Sequence, residues 1–171
     1  MSRISVTYLA LTRAPEPCVL VSPKPGARVS LRKLDISDYL AIYRDVGGPW
    51  RWDQRLRMPR HELIAYLDGP SSRIFCLSDR SRDGGVLGFC EFDATDAADI
   101  QLMNFGVVPA LSGRGFGRLL LGQALTAIWR DDAPKRISLH TDTWDHPKAR
   151  ALYLSVGFEI EAEKMQEPDD L

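Results

Sequence analysis

Apolar residues recur along this chain in two periods, and the switches between them mark the elements. Ser5 to Leu11 is rich in β-formers and reads as a strand. Arg28 to Leu34 sets Val29, Leu31 and Lys33 against Arg28, Ser30 and Arg32, a second strand. Between them, Arg13 to Gly26 carries Pro15, Pro17, Pro23 and Pro25, which predicts a loop around the short apolar run Val19 to Val21. Tyr39, Ile42, Tyr43 and Val46 form a helical stripe, with Ser37 as the expected N-cap, Asp38 in the first turn and Gly47-Gly48-Pro49 as the stop. A second helix is expected after Pro59, with Leu63, Tyr66 and Leu67 on one face and an end at Gly69-Pro70. Arg73 to Leu77, the turn Asp83-Gly84-Gly85 and Val86 to Phe92 predict a hairpin. Ile100 to Val108 is the next strand. Leu121, Ala124, Leu125, Ile128 and Trp129 then stripe a helix. In the strand Arg136 to Thr143, Ile137, Leu139 and Thr141 face one way, and Ser138, His140 and Asp142 the other. Ala149, Leu152, Tyr153 and Val156 stripe the last helix, with Pro147 in its first turn and Gly157 at C′. Phe158 to Glu163 reads as a final strand and Glu167 to Leu171 as a loose tail.

The 171 residues fit one domain, by the prior of roughly 100–200 residues each. A formal net charge of −1 gives no basic excess, so nucleic acid is not expected as a partner. Cys18, Cys76 and Cys90 lie far apart in no metal-ligand spacing, and read as small buried hydrophobes in a reducing compartment. No metal is expected. Ile4 to Leu11 is too short and too polar for a secretory signal, and no run is long enough to span a membrane. A cytoplasmic location is therefore expected, with no membrane partner.

The chemistry centres on Asn104 to Gln123, where a strand stops at Pro109, a glycine-rich turn follows and a helix starts at once. The first N–H groups of a helix have no intrahelical partner and lie at the positive end of its dipole. Gly113, Gly115 and Gly117 let main chain approach an anion, and Arg114 and Arg118 add positive charge. The turn is therefore a candidate cradle for a phosphate-bearing cofactor. A nucleoside-triphosphate loop needs Lys then Ser or Thr after its last glycine, and here Arg118 and Leu119 follow Gly117. A dinucleotide fingerprint needs its third glycine one place later, although Asp142 would suit the ribose-binding acid. The third reading is a loop for the pyrophosphate of coenzyme A.

The run from Pro109 to Gly117, followed by a Leu-rich helix, resembles the acyl-CoA motif of the GNAT (Gcn5-related) acetyltransferases, Arg/Gln-x-x-Gly-x-Gly/Ala. The motif falls on Ser112, Gly113, Arg114, Gly115, Phe116 and Gly117, with Ser112 in place of Arg or Gln. A second stretch resembles the family's Asn-x-x-Ala-x-x-x-Tyr-x-x-x-Gly-Phe, on Ala149, Tyr153, Gly157 and Phe158, with His146 in place of Asn. His140-Thr141 followed by Asp145-His146-Pro147 resembles a sparsely characterised bacterial subgroup. The resemblance spans about Arg28 to Glu163. It implies an α/β domain of the GNAT fold over residues 28–166, after an N-terminal extension of residues 1–27 and before a tail of residues 167–171. The fold would be a mixed, mainly antiparallel sheet, splayed in the middle, with helices on both faces. The strand before the glycine turn would be bulged, and the main chain of Gly106, Val107 and Val108 would pair with the pantetheine arm of acetyl-CoA. Dimers are common for such folds, and the sequence marks no interface.

The implied function is acetyl or small-acyl transfer from acyl-CoA to a primary amine of a small molecule or peptide, by direct attack in a ternary complex. A phenol near the sulfur would protonate the departing thiolate, which points to Tyr153; the alternative is that its ring is only core stripe. The amine needs a base. Glu91 shares a strand face with Leu87 and Phe89, which fits a desolvated base or a carboxylate paired with an Arg at the sheet margin. His140 and Asp142 are alternatives. His146 would contact the coenzyme or cap the last helix, while His61 at a helix start reads as solvated. Trp50, Arg51, Trp52, Asp53 and Arg55 lie where the family lines its acceptor pocket, or else plug the core under a loop. Two other functions stay open: a non-catalytic CoA-binding module, and a dinucleotide-dependent oxidoreductase using Asp142.

Overall fold

The computed structural model describes residues 3–15, 24–79 and 85–167. Cys18, the run Val19 to Val21, the residues Asp83 and Gly84 of the expected turn, and the tail beyond Glu167 lie outside them. Seven strands form one sheet: β1 (Ile4–Leu11), β2 (Ala27–Leu31), β3 (Ser72–Asp79), β4 (Val86–Asp93), β5 (Asp99–Val107), β6 (Arg136–Asp142) and β7 (Glu159–Gln166). Their order is β2-β3-β4-β5-β6-β1-β7. Every neighbouring pair is antiparallel except β5–β6. Parallel strands need a crossover, which α4 (Phe116–Asp131) supplies. The strand of the N-terminal segment is thus no appendage: β1 lies between β6 and β7, with Tyr8 opposite His140 on one side and Ala162 on the other.

Two cores sit on the two faces. On one, Leu120, Leu121, Leu125 and Ile128 of α4 pack with Leu9, Phe92, Ile100 and Ile137 of the sheet. Tyr153 of α5 (Ala149–Ser155) joins this cluster. On the other, Tyr39, Ile42, Tyr43 and Val46 of α1 (Ile36–Gly47) meet Leu63 and Leu67 of α3 (Arg60–Asp68), against Ile74, Cys76 and Phe89. Burying each large apolar side chain is worth roughly 1.5–3 kcal/mol, so these stripes fix which way each helix faces.

Helix starts and stops follow local chemistry. Asp35, not Ser37, caps α1: its carboxylate accepts from the Ser37 and Asp38 N–H groups at 2.8 and 2.9 Å. An N-cap acceptor must precede the turn whose donors it satisfies, so Ser37 already lies inside the helix. Between α1 and α3 the chain makes a 3₁₀ turn at Gly48–Trp50 and a four-residue helix α2 (Gln54–Arg57), neither of which its sequence pattern signals.

One irregularity positions everything that follows. β5 and β6 pair only at Asp99–Arg136, Ile100–Ile137 and Gln101–Ser138. Beyond that point β5 bulges: Asn104 pairs with Glu91 and Leu102 with Phe92, which leaves Met103 as the extra residue. A bulge bends its strand, and from Leu102 onward β5 follows β4 and leaves β6. The sheet is therefore open between β5 and β6.

Candidate active site

The opening is a cleft of about 870 Å³. β5 borders it with Asn104, Phe105, Gly106 and Val107, and β6 with His140 and Asp142. Ser112, Gly113, Gly115, Gly117 and Arg118 line it where β5 leads into α4. Gly115 stands at the N-cap of α4 with φ +84°, and Gly113 has φ +72°. Non-glycine residues rarely adopt this region, which is why glycines fall here. No described side chain caps α4, so its first N–H groups are available to an anion.

Tyr153 lines the same cleft, its ring 6.0 Å from those of Phe105 and Phe158 and its surface only 7 % exposed. Burial, with the Asp145 charge adding, holds its phenol well above the ordinary tyrosine pKa, so it keeps its proton. The two positions that depart from the motifs meet: Ser112 Oγ and His146 Nε2 are 3.1 Å apart. His146 Nδ1 accepts from the Lys148 N–H at 3.1 Å. A neutral imidazole then carries its proton on Nε2 and donates it to Ser112. The Trp50 ring lies 4.9 Å from that of His146.

Trp50, Trp52, Asp53, His140 and Asp142, all expected to meet an acceptor, also line the cleft. Two residues expected there do not. Glu91 is fully buried behind the wall, where it takes hydrogen bonds from Tyr39 Oη at 2.5 Å and Asn104 Nδ2 at 2.9 Å and an ion pair from Arg55. Arg55 is 4 % exposed, and its guanidinium also lies 4.5 Å from the centre of the Tyr66 ring. A fully buried carboxylate held between a cation and two donors, with no surface on the cleft, does not reach an acceptor bound there. Glu91 is thus the paired form of the two readings, inside the core rather than at the sheet margin, and Arg55 is its counter-ion rather than an acceptor contact.

The side chains of Val108, Arg114 and Phe116 likewise turn away, lining a second cavity of about 180 Å³. Main chain can still serve the part expected of Val108 and Phe116, but the Arg114 guanidinium, expected to add charge to the cradle, does not line the cleft. Arg114 lies over the Phe116 ring at 5.8 Å, and Phe116 belongs to the core. Arg118 borders the cleft and reaches Ser155 Oγ at 3.3 Å, bridging α4 and α5.

The sequence offers Asp145 only as part of the subgroup resemblance and gives it no role in the site. Asp145 lines the cleft and accepts from Thr141 Oγ1 at 2.7 Å, the Asp142 N–H at 3.2 Å and Trp52 Nε1 at 3.4 Å. Its signal was faint: an aspartate three residues after Asp142, in the turn that leaves β6. Asp142 itself accepts from the Trp144 N–H at 2.6 Å. Desolvation raises the Asp142 carboxyl above its ordinary pKa; the Asp145 charge adds to this, and the Trp144 N–H opposes it.

Comparison with known proteins bears on this cleft. The family model described as the acetyltransferase (GNAT) family matches residues 39–158. The chain belongs to the GNAT family. The family generally uses acetyl-CoA, which favours the coenzyme A reading of the glycine turn over the other two. Over 76 residues the chain is 36% identical to a mycothiol acetyltransferase of Beutenbergia cavernae, a match covering 44% of this chain and 25% of that protein. A GCN5-related N-acetyltransferase from Sphaerobacter thermophilus superposes with a TM-score of 0.60 at 17% identity, over 96% of this chain and 51% of the other. A tandem GNAT protein from the clavulanic acid biosynthesis pathway gives 0.67 at 15% identity, over 98% and 55%. The chain thus spans a quarter of the curated relative and about half of these two solved structures. The structural likenesses show the shared GNAT fold.

Proposed function

We propose that the protein moves an acetyl, or small acyl, group from acyl-CoA to a primary amine by direct attack in a ternary complex. The observation that carries this reading is the single cleft in which the β5–β6 opening, the uncapped N-terminus of α4 and Tyr153 meet. The residues present suit acetyl-CoA. An uncapped helix start behind a turn with two positive-φ glycines fits a pyrophosphate, and the open side of β5 fits an extended amide-bearing arm.

Bound there, acetyl-CoA would supply a thioester carbon at which the amine's C–N bond forms as the C–S bond breaks. Tyr153 holds a proton on Oη and yields it toward the departing sulfur. The raised pKa keeps that proton on Oη before the reaction, so its donation depends on the negative charge that develops on sulfur. Overall the ammonium form loses two protons: the second, released as the amide forms, restores the one Tyr153 gives to sulfur, and the first has to leave before the attack. Asp142 and His140 are the groups on β6 that face the cleft and can take it, directly or through a water. Desolvation moves Asp142 toward the range useful to a base.

One observation favours a second reading, a CoA-binding module without turnover: Ser112 and His146 hold each other, at the positions where the family's motifs carry Arg or Gln and Asn. Release of the free CoA thiol across a panel of primary amines separates the two. Amine-dependent release, lost in Tyr153→Phe, supports the transferase. Tight CoA binding with no release by the wild type supports the module.

A further inference from the structure

The acetyltransferase reading leaves the acceptor open, and the cleft carries more about it than the family does. Away from the glycine turn the lining holds Trp50, Trp52, Trp144, His140, Asp142 and Asp145. Trp52 is a fixed wall. A Cβ on Gly47 would come within 2.3 Å of its ring, so only glycine lets the indole lie on α1, and its ring also contacts Tyr43 and Phe89 at 5.5 and 6.3 Å. Its N–H then meets Asp145.

Among the described residues the hydrogen bonds to the two carboxylates come from neutral donors, Thr141, Trp52 and main-chain N–H groups, while His140 on the same strand acts on Asp142 through charge alone. Among the described residues neither has a salt-bridge partner. The cations of the nearby loop also line the cleft but are paired with other groups than these two carboxylates. Arg57 pairs with Asp53 at 3.2 Å, and Arg51 lies over the Trp144 ring at 5.2 Å. Arg118 and Lys148 border the cleft from α4 and the start of α5. Two like charges in a partly desolvated place repel, and a ligand cation between them relieves both. Indole faces attract the same cation and pack against an apolar body. An acceptor bearing its own carboxylate would meet Asp142 and Asp145 instead.

We infer that the acceptor is a monocationic primary amine with an apolar, preferably aromatic, body, its ammonium received by Asp142 and Asp145 and its body by Trp50, Trp52 and Trp144. This rests on the transferase reading for the identity of the cleft. The ammonium would arrive beside the two groups proposed to take its proton, so binding and deprotonation would share one place.

The test is calorimetric titration of phenethylamine, phenylalanine and 3-phenylpropionate into the protein, with and without CoA. These probes share one phenyl ring and two-carbon arm and differ in the charged groups that the arm carries. Phenethylamine should bind, phenylalanine at least about tenfold more weakly, and 3-phenylpropionate weakest of the three. Asp142→Asn and Asp145→Asn should each weaken phenethylamine by about tenfold. Equal or tighter binding of phenylalanine or 3-phenylpropionate overturns the inference, and so does absence of phenethylamine binding in a sample that binds CoA. Phenethylamine binding without any CoA binding would leave the amine site standing but overturn the transferase reading, and with it the amine's role as acceptor.

Discussion

Ser112 and His146 are hydrogen-bonded to each other, Oγ to Nε2 at 3.1 Å, and both line the cleft. One sits just before the glycine turn and the other before α5, so the bond joins the two segments that flank the cleft. Each departs singly from a family motif, and together they form one unit. An exposed neutral hydrogen bond is worth about 0.5–1.5 kcal/mol. Ser112→Ala and His146→Ala should therefore each raise KM for acetyl-CoA by about two- to tenfold. The double variant should do little more than either alone. Additive effects in that mutant cycle would mean the two act separately.

Tyr153→Phe keeps the ring contacts with Phe105 and Phe158 and removes only the hydroxyl, and with it the proton. Loss of a general acid should lower kcat by about 10²-fold or more, with KM little changed and the melting temperature preserved. Unchanged kcat would return Tyr153 to a packing role.

Glu91 and Arg55 form a buried pair, so Glu91→Ala leaves an unpaired buried cation. Breaking such a pair typically costs about 3–5 kcal/mol. For a chain of this size that is roughly 6–20 °C in melting temperature. A Glu91 variant that melts like the wild type but is inactive would restore it as the base.

Much of this was legible beforehand, for a physical reason. The glycine turn, the helix stripes and the motif tyrosine are local patterns, and local patterns survive in sequence. Glu91 was not, because a carboxylate on an apolar strand face looks the same whether it opens on a cleft or faces an arginine 36 positions away. The place of β1 between β6 and β7 is likewise long-range pairing, which no periodicity encodes. Asp145 acts through a turn whose shape depends on Thr141 and Trp52 arriving together.

Asp142 gives a pH signature. Its folded pKa is raised by desolvation, with the Asp145 charge adding, so the unfolded chain releases this proton first as pH rises. Below the ordinary aspartate value of about 3.9 both states are protonated and the group costs nothing. Above it, ionisation in the unfolded state withdraws stability until the folded group also ionises. Asp142→Asn should therefore melt higher than the wild type at pH 7 and equally near pH 3. A lower melting temperature at pH 7 would mean that the charge is compensated in the folded state.

The most direct measurement is thermal melting with acetyl-CoA, NADH and ATP in parallel. Acetyl-CoA at 100 times its Kd should stabilise the fold by about 2.7 kcal/mol, a shift of roughly 5–11 °C, with no shift from the other two. A well-folded sample that answers to NADH or ATP, or to none of the three, would contradict the assignment of the β5–β6 cleft and its glycine turn to acyl-CoA.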